Sequence, residues 1–326
     1  MKTLIVASKA PATFVHTDRK ILESVHSVEF LSFRWTAANV ASLLRRVHCS
    51  DLVFCWFAGH HTYLAALAGR YGSKRVVVAA SDYDLADEPS FYYGSMRGGL
   101  RKRINNHIFR IADAVIVPSK FSYDLAVKNT VLGSMRSKLY IIPHGFEDRT
   151  GLPQVERERA VATVGELNSE NWIRKGQREF VEAVSGMSTV AAYLVGSLSD
   201  PQVVHRVKQR AGANLSLTGF LPDIGLDALL GRVKVYAQLS YMEGFGCSLA
   251  EAMLAGCIPV VTDRGALPEV VGDCAFYTNY GDVPAARDAL EAALADHHMG
   301  FRPRERVLDC FPYRRRHAEL LRLVAG

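Results

Sequence analysis

No apolar run in this sequence approaches the roughly 18 residues that a membrane-spanning helix needs. Near the start only Leu4–Ala7 is continuously apolar, too short for the core of a secretory signal, and it reads as a first β-strand. Cys-x-x-Cys pairs are missing: the six cysteines stand apart at 49, 55, 247, 257, 274 and 310. That scatter argues against a zinc site or a secreted disulfide framework and places the chain most simply in a reducing cytoplasm. No Gly-x-Gly-x-x-Gly follows the first strand, which disfavours a nicotinamide enzyme. Short-period repeats and low-complexity tracts are absent, as is any convincing Ser/His/Asp or Cys/His arrangement that would supply a nucleophile.

What remains is the composition of a soluble globular protein, 326 residues with 49% hydrophobic and 22% charged, long enough for two domains. Its net charge of +6 is uneven. Residues 1–150 hold 20 Lys and Arg against 12 Asp and Glu, a net +8, whereas 151–326 hold 19 against 21, a net −2. The densest cluster is Arg97, Arg101, Lys102, Arg103 and Arg110, with no acid between 97 and 110. Such a patch suits an anionic partner, whether a phosphorylated ligand, an acidic membrane surface or nucleic acid. A solvated helix face would look the same.

Short apolar, β-branched runs recur along the whole chain. In the first half they are Leu4–Ala7, Val28–Phe33, Leu52–Phe57, Arg75–Ala80, Ala114–Pro118 and Leu139–Pro143. In the second half they are Ala160–Val164, Val190–Val195, Leu215–Thr218, Val233–Leu239, Ile258–Thr262 and Ala275–Thr278. Helix-period segments separate many of them, at 36–48, 60–71, 101–111, 120–128, 176–185, 201–211, 247–256 and 283–296. This alternation predicts βαβ units and two doubly wound parallel sheets. A polar stretch bearing Gly151 and Pro153 marks a hinge over 148–159, so the expected domains are 1–150 and 151–326.

The chemistry is concentrated in Ser240–Thr262. A strand ends near Ser240, a loop carries Glu243, Gly244, Phe245 and Gly246, and a helix begins near Cys247 or Ser248 and stops at Gly256. Strand, glycine loop and helix N-terminus together form an anion site, because unpaired N–H groups and the helix dipole face the ligand. The two glycines let that backbone approach a diphosphate closely. Glu243 and Glu251 lie on loop and helix respectively, a poor arrangement for the paired acid and base of a glycoside hydrolase. Ser248-Leu249-Ala250-Glu251 also has the pattern of a capping box, so from spacing alone Glu251 is either a ligand contact or a helix cap.

Glu243-x7-Glu251 enclosing Gly-Phe-Gly, followed by Glu-Ala-Met and Pro-Val-Val, resembles the signature of retaining glycosyltransferase family 4. Ile141–Gly145, Leu217–Asp223 and Arg264–Asp273 fit that family in order. The first half resembles a narrower, archaeal-looking branch through Phe14-Val15, Asp18, Ile21-Leu22, Asp82-Tyr83-Asp84 and Tyr93-Gly94. The resemblance implies a GT-B architecture, two Rossmann-like domains with the active site in the cleft between them. It further implies retention at the anomeric carbon, a nucleotide-diphosphate sugar (UDP- or GDP-linked) as co-substrate, no cofactor and no metal.

By that resemblance Glu243 meets the transferred sugar near its reacting end, helped by the backbone of Gly244, Phe245 and Gly246. Backbone groups of Cys247, Ser248 and Leu249 hold the diphosphate, and Glu251 holds the ribose. The family's Val-Gly-Arg is here Val164-Gly165-Glu166, and an acid cannot clamp phosphate. Lys175 is the matched lysine of Lys-Gly, and Arg174 is assigned to cover the missing arginine. The family's Gly-rich loop after the first strand is replaced by Ala10–Phe14.

Asp82 and Asp84, His60 and His61, and His144 are expected on the acceptor side or at the sugar. Two aspartates without further ligands make a weak metal site, and the same residues would serve as turns or caps. The final helix, 313–325, carries Leu320, Leu321 and Val324 as an apolar stripe and in the family crosses back onto the first domain. The expected acceptor is a carbohydrate or lipid-linked hydroxyl, with peripheral contact to an anionic inner membrane face through the Arg97–Arg110 cluster; nucleic acid is disfavoured. The rival readings are a two-domain nucleotide-sugar epimerase and a catalytically inactive sugar-nucleotide-binding protein that docks on a membrane or nucleic acid through the basic patch at 97–110.

Overall fold

The computed structural model describes residues 1–7, 13–148 and 157–325. Residues 10–12 of the segment that replaces the Gly-rich loop, and most of the 148–159 hinge, lie outside the described residues. The chain divides into two compact units, Met1–Gly145 with Tyr313–Gly326, and Phe146–Pro312.

The first unit runs β1 (Lys2–Ala7), α1 (Thr13–Glu23), β2 (Ser27–Ser32), α2 (Ala37–His48), β3 (Leu52–Trp56), α3 (His60–Tyr71), β4 (Arg75–Ala79), α4 (Asp82–Leu85), α5 (Gly99–Ile111), β5 (Ala114–Val117), α6 (Lys120–Asn129) and β6 (Leu139–Ile141). The strands form one parallel sheet in the order β2-β1-β3-β4-β5-β6. Strands such as Leu52–Trp56 are apolar at every position because both faces are covered. Leu4, Val6, Val53 and Val78 pack into a core on one face, and Ile5, Phe54, Val77 and Ile116 into another on the opposite face.

The second unit runs β7 (Glu158–Val164), α7 (Ser169–Arg174), α8 (Gln177–Ser185), β8 (Ala191–Val195), α9 (Pro201–Arg210), β9 (Leu215–Gly219), α10 (Asp223–Arg232), β10 (Val233–Gln238), α11 (Cys247–Leu254), β11 (Ile258–Thr262), α12 (Leu267–Val271), β12 (Phe276–Thr278), α13 (Val283–Ala295) and α14 (Arg302–Cys310). Its sheet is also parallel, in the order β12-β11-β10-β7-β8-β9. The winding reverses between the neighbours β7 and β10. In open α/β sheets ligands bind beyond the carboxyl ends of the strands at such a reversal. The corresponding reversal in the first unit lies between β1 and β3.

The last helix, α15 (Tyr313–Ala325), joins the first unit and buries Arg316, Leu320, Leu323 and Val324, with Leu323 more deeply placed than the expected Leu321. The Arg316 guanidinium forms a fork with Asp18 of α1, Nε to Oδ1 at 2.6 Å and Nη2 to Oδ2 at 2.7 Å. Its Nη1 donates to the carbonyls of Ile142 and Pro143 at 2.8 and 2.9 Å. Helices α1, α4, α7, α10, α12 and α14 are not among the segments read from periodicity. In α1 the buried face is Val15, Asp18, Ile21 and Leu22, and a carboxylate on that face breaks the apolar stripe.

Candidate active site

At the reversal point of the second unit the chain leaves β10 and reaches α11 through residues 239–246. Gly246 is the N-cap of α11 and sits at φ +99°, a left-handed conformation that lets the loop turn into the helix. The loop is held from both sides. From the β11 side Thr262 Oγ1 donates to Ser240 O at 2.6 Å, and Ala266 N to Glu243 O at 2.9 Å. From the α7 side Tyr241 N donates to Arg174 O at 2.8 Å, and Arg174 Nη1 to Met242 O at 3.1 Å.

Glu243 is 9% exposed. Its Oε1 accepts from Gln238 Nε2 at 3.0 Å and Ser240 Oγ at 3.0 Å, and pairs with Lys175 Nζ at 3.1 Å. Burial alone would push this carboxyl up. The Lys175 and Arg174 charges, with hydrogen bonds from Lys175 and Ser240, outweigh burial and hold it below the ordinary glutamate range. Glu243 is therefore an anion at neutral pH. The network continues inward, because Tyr236 OH donates to Gln238 Oε1 at 3.0 Å.

Lys175 caps the C-terminus of α7, which fills the longer loop after Gly165. Glu166 is exposed there, and its carbonyl accepts from Asn171 Nδ2 and Gln177 Nε2. Arg174 is 6% exposed. Its guanidinium bonds Met242 O, Asn171 Oδ1 at 2.8 Å and Glu170 Oε1 at 3.3 Å. Arg174 thus braces the loop that carries Glu243 and acts on that carboxylate through its charge.

The other expected donor contacts surround the α11 N-terminus. Gly244 and Gly246 are buried, and Cys247, Ser248 and Glu251 are half-buried. The Leu249 side chain is in the core, so only its backbone is available to a ligand. Phe245 likewise points inward, its ring 6.0 Å from Phe146 and 5.1 Å from Phe311. The helix begins one residue before Ser248, with no side-chain cap, so Ser248–Glu251 is not a capping box. Its first turn carries no acid, which leaves the N–H groups suited to an anion.

In the first unit a cavity of about 470 Å³ opens at the carboxyl ends of β3 and β4. It brings together His60, His61 and Asp84 with Tyr83, Arg101 and Asn105. Asp82 and His144 are not in its lining. The Asp84 Oδ2 accepts from Ser81 N at 2.8 Å and Ser81 Oγ at 3.0 Å, closing the first turn of α4. Burial lifts its carboxyl to about 7 despite those bonds. His61 bonds the Trp56 carbonyl at 3.1 Å, and burial lowers its pKa. Asp82 accepts from Tyr93 OH at 2.9 Å. His144 packs 4.9 Å from the Phe14 ring and stacks on Trp56; burial, then the Arg316 charge, lowers its pKa well below the usual value.

Among the described residues no group of three or more His, Cys, Asp or Glu is arranged to hold a metal ion. Gln238, Tyr236, Ser240, Tyr83 and Asn105 join the site without being marked as functional by motif, and Arg101 is marked only as part of the basic cluster. For the first two a signal existed: polar residues at alternate positions of an otherwise buried strand.

The family model described as "Glycosyl transferases group 1" matches residues 158–296. O-antigen chain mannosyltransferase B of Escherichia coli is 35% identical over 78 residues, 24% of this chain and 20% of that protein. The MMP alpha-(1->4)-mannosyltransferase of Mycolicibacterium hassiacum is 27% identical over 188 residues, 54% of this chain and 45% of that protein. The chain thus spans less than half the length of these curated relatives. Among solved structures, Anabaena Alr3699/HepE in complex with UDP and glucose superposes with a TM-score of 0.79 at 18% identity, covering 100% of this chain and 99% of that one. WaaG, a glycosyltransferase involved in lipopolysaccharide biosynthesis, gives 0.73 at 14% identity with full coverage of both chains. The fold is that of the GT-B glycosyltransferases, two six-stranded parallel α/β units as the sequence predicts.

Proposed function

We propose that this chain is a glycosyltransferase of the retaining, family 4 type, which moves a hexose from a UDP- or GDP-linked sugar to a hydroxyl acceptor. The observation that carries this reading is the Lys175–Glu243 pair, set beside the acid-free N-terminus of α11 at the β7/β10 reversal. The family match over 158–296 and the likeness to mannosyltransferases support it.

In this reading the diphosphate lies on backbone N–H groups of Cys247–Leu249, Glu251 takes the ribose, and Glu243 takes the sugar. Lys175 and the helix N-terminus stabilise the negative charge that grows on the departing diphosphate. The acceptor oxygen bonds to the anomeric carbon from the face that the phosphate oxygen leaves. The acceptor proton passes to that phosphate oxygen, so no enzyme nucleophile is needed. Lys175 and the backbone amides supply the positive field that a metal ion provides elsewhere, and we read the site as metal-independent.

His60, His61, Asp84 and Arg101, gathered in one cavity, are the acceptor-side contacts. Arg101 also belongs to the basic cluster, which favours an anionic or lipid-linked acceptor over a neutral one. Turnover and thermal-shift assays against UDP-, GDP- and ADP-sugars test the reading. A donor at 100 times its Kd stabilises by about 2.7 kcal/mol. One donor should both protect and turn over, and Glu243→Gln should abolish turnover; binding with no turnover on any acceptor overturns the enzymatic assignment.

A further inference from the structure

Strand β10 reads Val-Lys-Val-Tyr-Ala-Gln, and Tyr236 and Gln238, two residues apart, project to one face. Both are buried, at 0% and 2% exposure. An apolar pair would fill that space without the cost of burying an amide and a phenol.

We propose that Gln238, oriented by Tyr236, is a positioning residue that fixes the Glu243 carboxylate with one oxygen anchored and the other presented to the donor sugar. The inference rests on the reading of the second unit as the donor site. Its geometry is a chain of donors with one consistent direction. Tyr236 OH donates to Gln238 Oε1, which leaves Gln238 Nε2 to donate to Ser240 Oγ at 2.7 Å and to Glu243 Oε1 at 3.0 Å. Ser240, accepting from Gln238, gives its own proton to the same Glu243 oxygen at 3.0 Å. Turning the amide over would set Gln238 Oε1 against the carboxylate, so an ionised Glu243 enforces this direction.

Lys175 adds a third donor to Oε1, and among the described residues none reaches Oε2. Lys175 alone would hold the charge but not the plane of the carboxylate, because a flexible ammonium follows it through many rotamers. Gln238 and Ser240 sit on buried backbone and remove that freedom while leaving the charge in place. The free oxygen then has a fixed position from which to accept a sugar hydroxyl.

The test uses the full chain with the nucleotide sugar that supports turnover. Gln238→Leu should lower kcat by about 10–100-fold, the worth of one hydrogen bond to a charged group. The Kd of the product nucleoside diphosphate should stay unchanged, which also shows that the variant is folded. The acidic limb of kcat should move to higher pH, because Glu243 has lost a donor. Gln238→Glu should reverse the pH sense: its protonated form still donates to Oε1, so activity falls as pH rises and the two carboxylates repel.

If Gln238→Leu is poorly folded, Tyr236→Phe combined with Gln238→Leu, which leaves no buried phenol without a partner, should show the fall in kcat and the upward shift of the acidic limb expected of the single variant. An unmoved acidic limb, or unchanged kcat, in a protein whose Glu243→Gln variant is inactive overturns the positioning role alone. An active Glu243→Gln variant is a different result and overturns the donor-site reading itself.

Discussion

At the scale of single residues, two carboxylates are pushed in opposite directions, and each makes a prediction. Glu243 is buried, yet Lys175 and Arg174 hold its pKa down. Lys175→Ala leaves burial with less opposition, so the carboxyl rises and the acidic limb of kcat moves upward. Loss of the cation should also cost about 10²-fold in kcat, as for other groups that stabilise developing charge. Steady-state rates across pH check both effects. Asp84 goes the other way, from 3.8 to about 7, because burial outweighs the bonds from Ser81. Between roughly pH 4 and 7 the folded protein holds a proton that the unfolded chain releases, so stability falls as pH rises through that window and levels off above it. Asp84→Asn keeps an acceptor for Ser81 and should flatten the profile. Thermal melts should show the variant more stable than wild type at pH 8, by roughly 2–4 °C for each kcal/mol recovered.

At the scale of elements, the site depends on close contact between the end of β10 and the start of α8. Gly176 lies at φ +64°, and a Cβ there would stand 2.0 Å from Leu239 O. Gly176→Ala should therefore cost more than the roughly 1–2 kcal/mol of left-handed strain, since Leu239 and the loop beyond it must move. Denaturant melts should show the loss, together with weaker nucleotide binding.

Helix α5 poses a different question. It buries Asn105, Ile108 and Phe109 and exposes Arg101, Arg103 and Arg110, while Tyr92 and Leu100 nearby are 80% and 68% exposed. The Arg97 guanidinium lies 5.5 Å from the Tyr92 ring centroid. Basic and apolar groups so arranged suit an anionic lipid surface, and each basic residue is worth about 1 kcal/mol there. Replacing Arg101, Lys102 and Arg103 with serine should reduce co-sedimentation with phosphatidylglycerol vesicles at low salt by about 100-fold; unchanged binding would mark the cluster as a solvated helix face.

Strands were the most legible elements, and each of the twelve expected runs is a strand. Central strands such as β3 and β11 are buried on both faces and write themselves as continuous apolar runs, whereas the outer strands β2 and β9 are partly exposed. Helices with an ionic or short apolar face were not: α1 hides its period behind Asp18, and α7 is only six residues long. At the site, the glycine loop and Glu243 were legible because backbone chemistry demands glycine there. For Gln238 the alternation of polar residues in β10 marks a buried polar face, but its partners, and so its importance, are set only by the fold.

At the scale of the whole molecule, α15 is fastened to the first unit by a buried ion pair between residues 298 positions apart. Removing one partner of such a pair leaves an uncompensated charge, so Arg316→Met should destabilise by about 3–5 kcal/mol. Adding Asp18→Leu should recover most of that loss, as chemical denaturation would show.

The sequence by itself determined two parallel α/β sheets, an excess of positive charge in the first half and a glycine loop leading into a helix. Each of these follows from local pattern: periodicity, composition and turn chemistry act over a few residues. Only the tertiary structure decided the strand orders, and with them the reversal that sets β7 beside β10 and carries Lys175 to Glu243. It also decided that Arg174 braces a loop, that Phe245 anchors one, and that Asp18 pairs with Arg316. Those outcomes depend on which distant groups share a buried volume, where an unpaired charge or amide is too costly to leave alone, and local pattern carries no record of that.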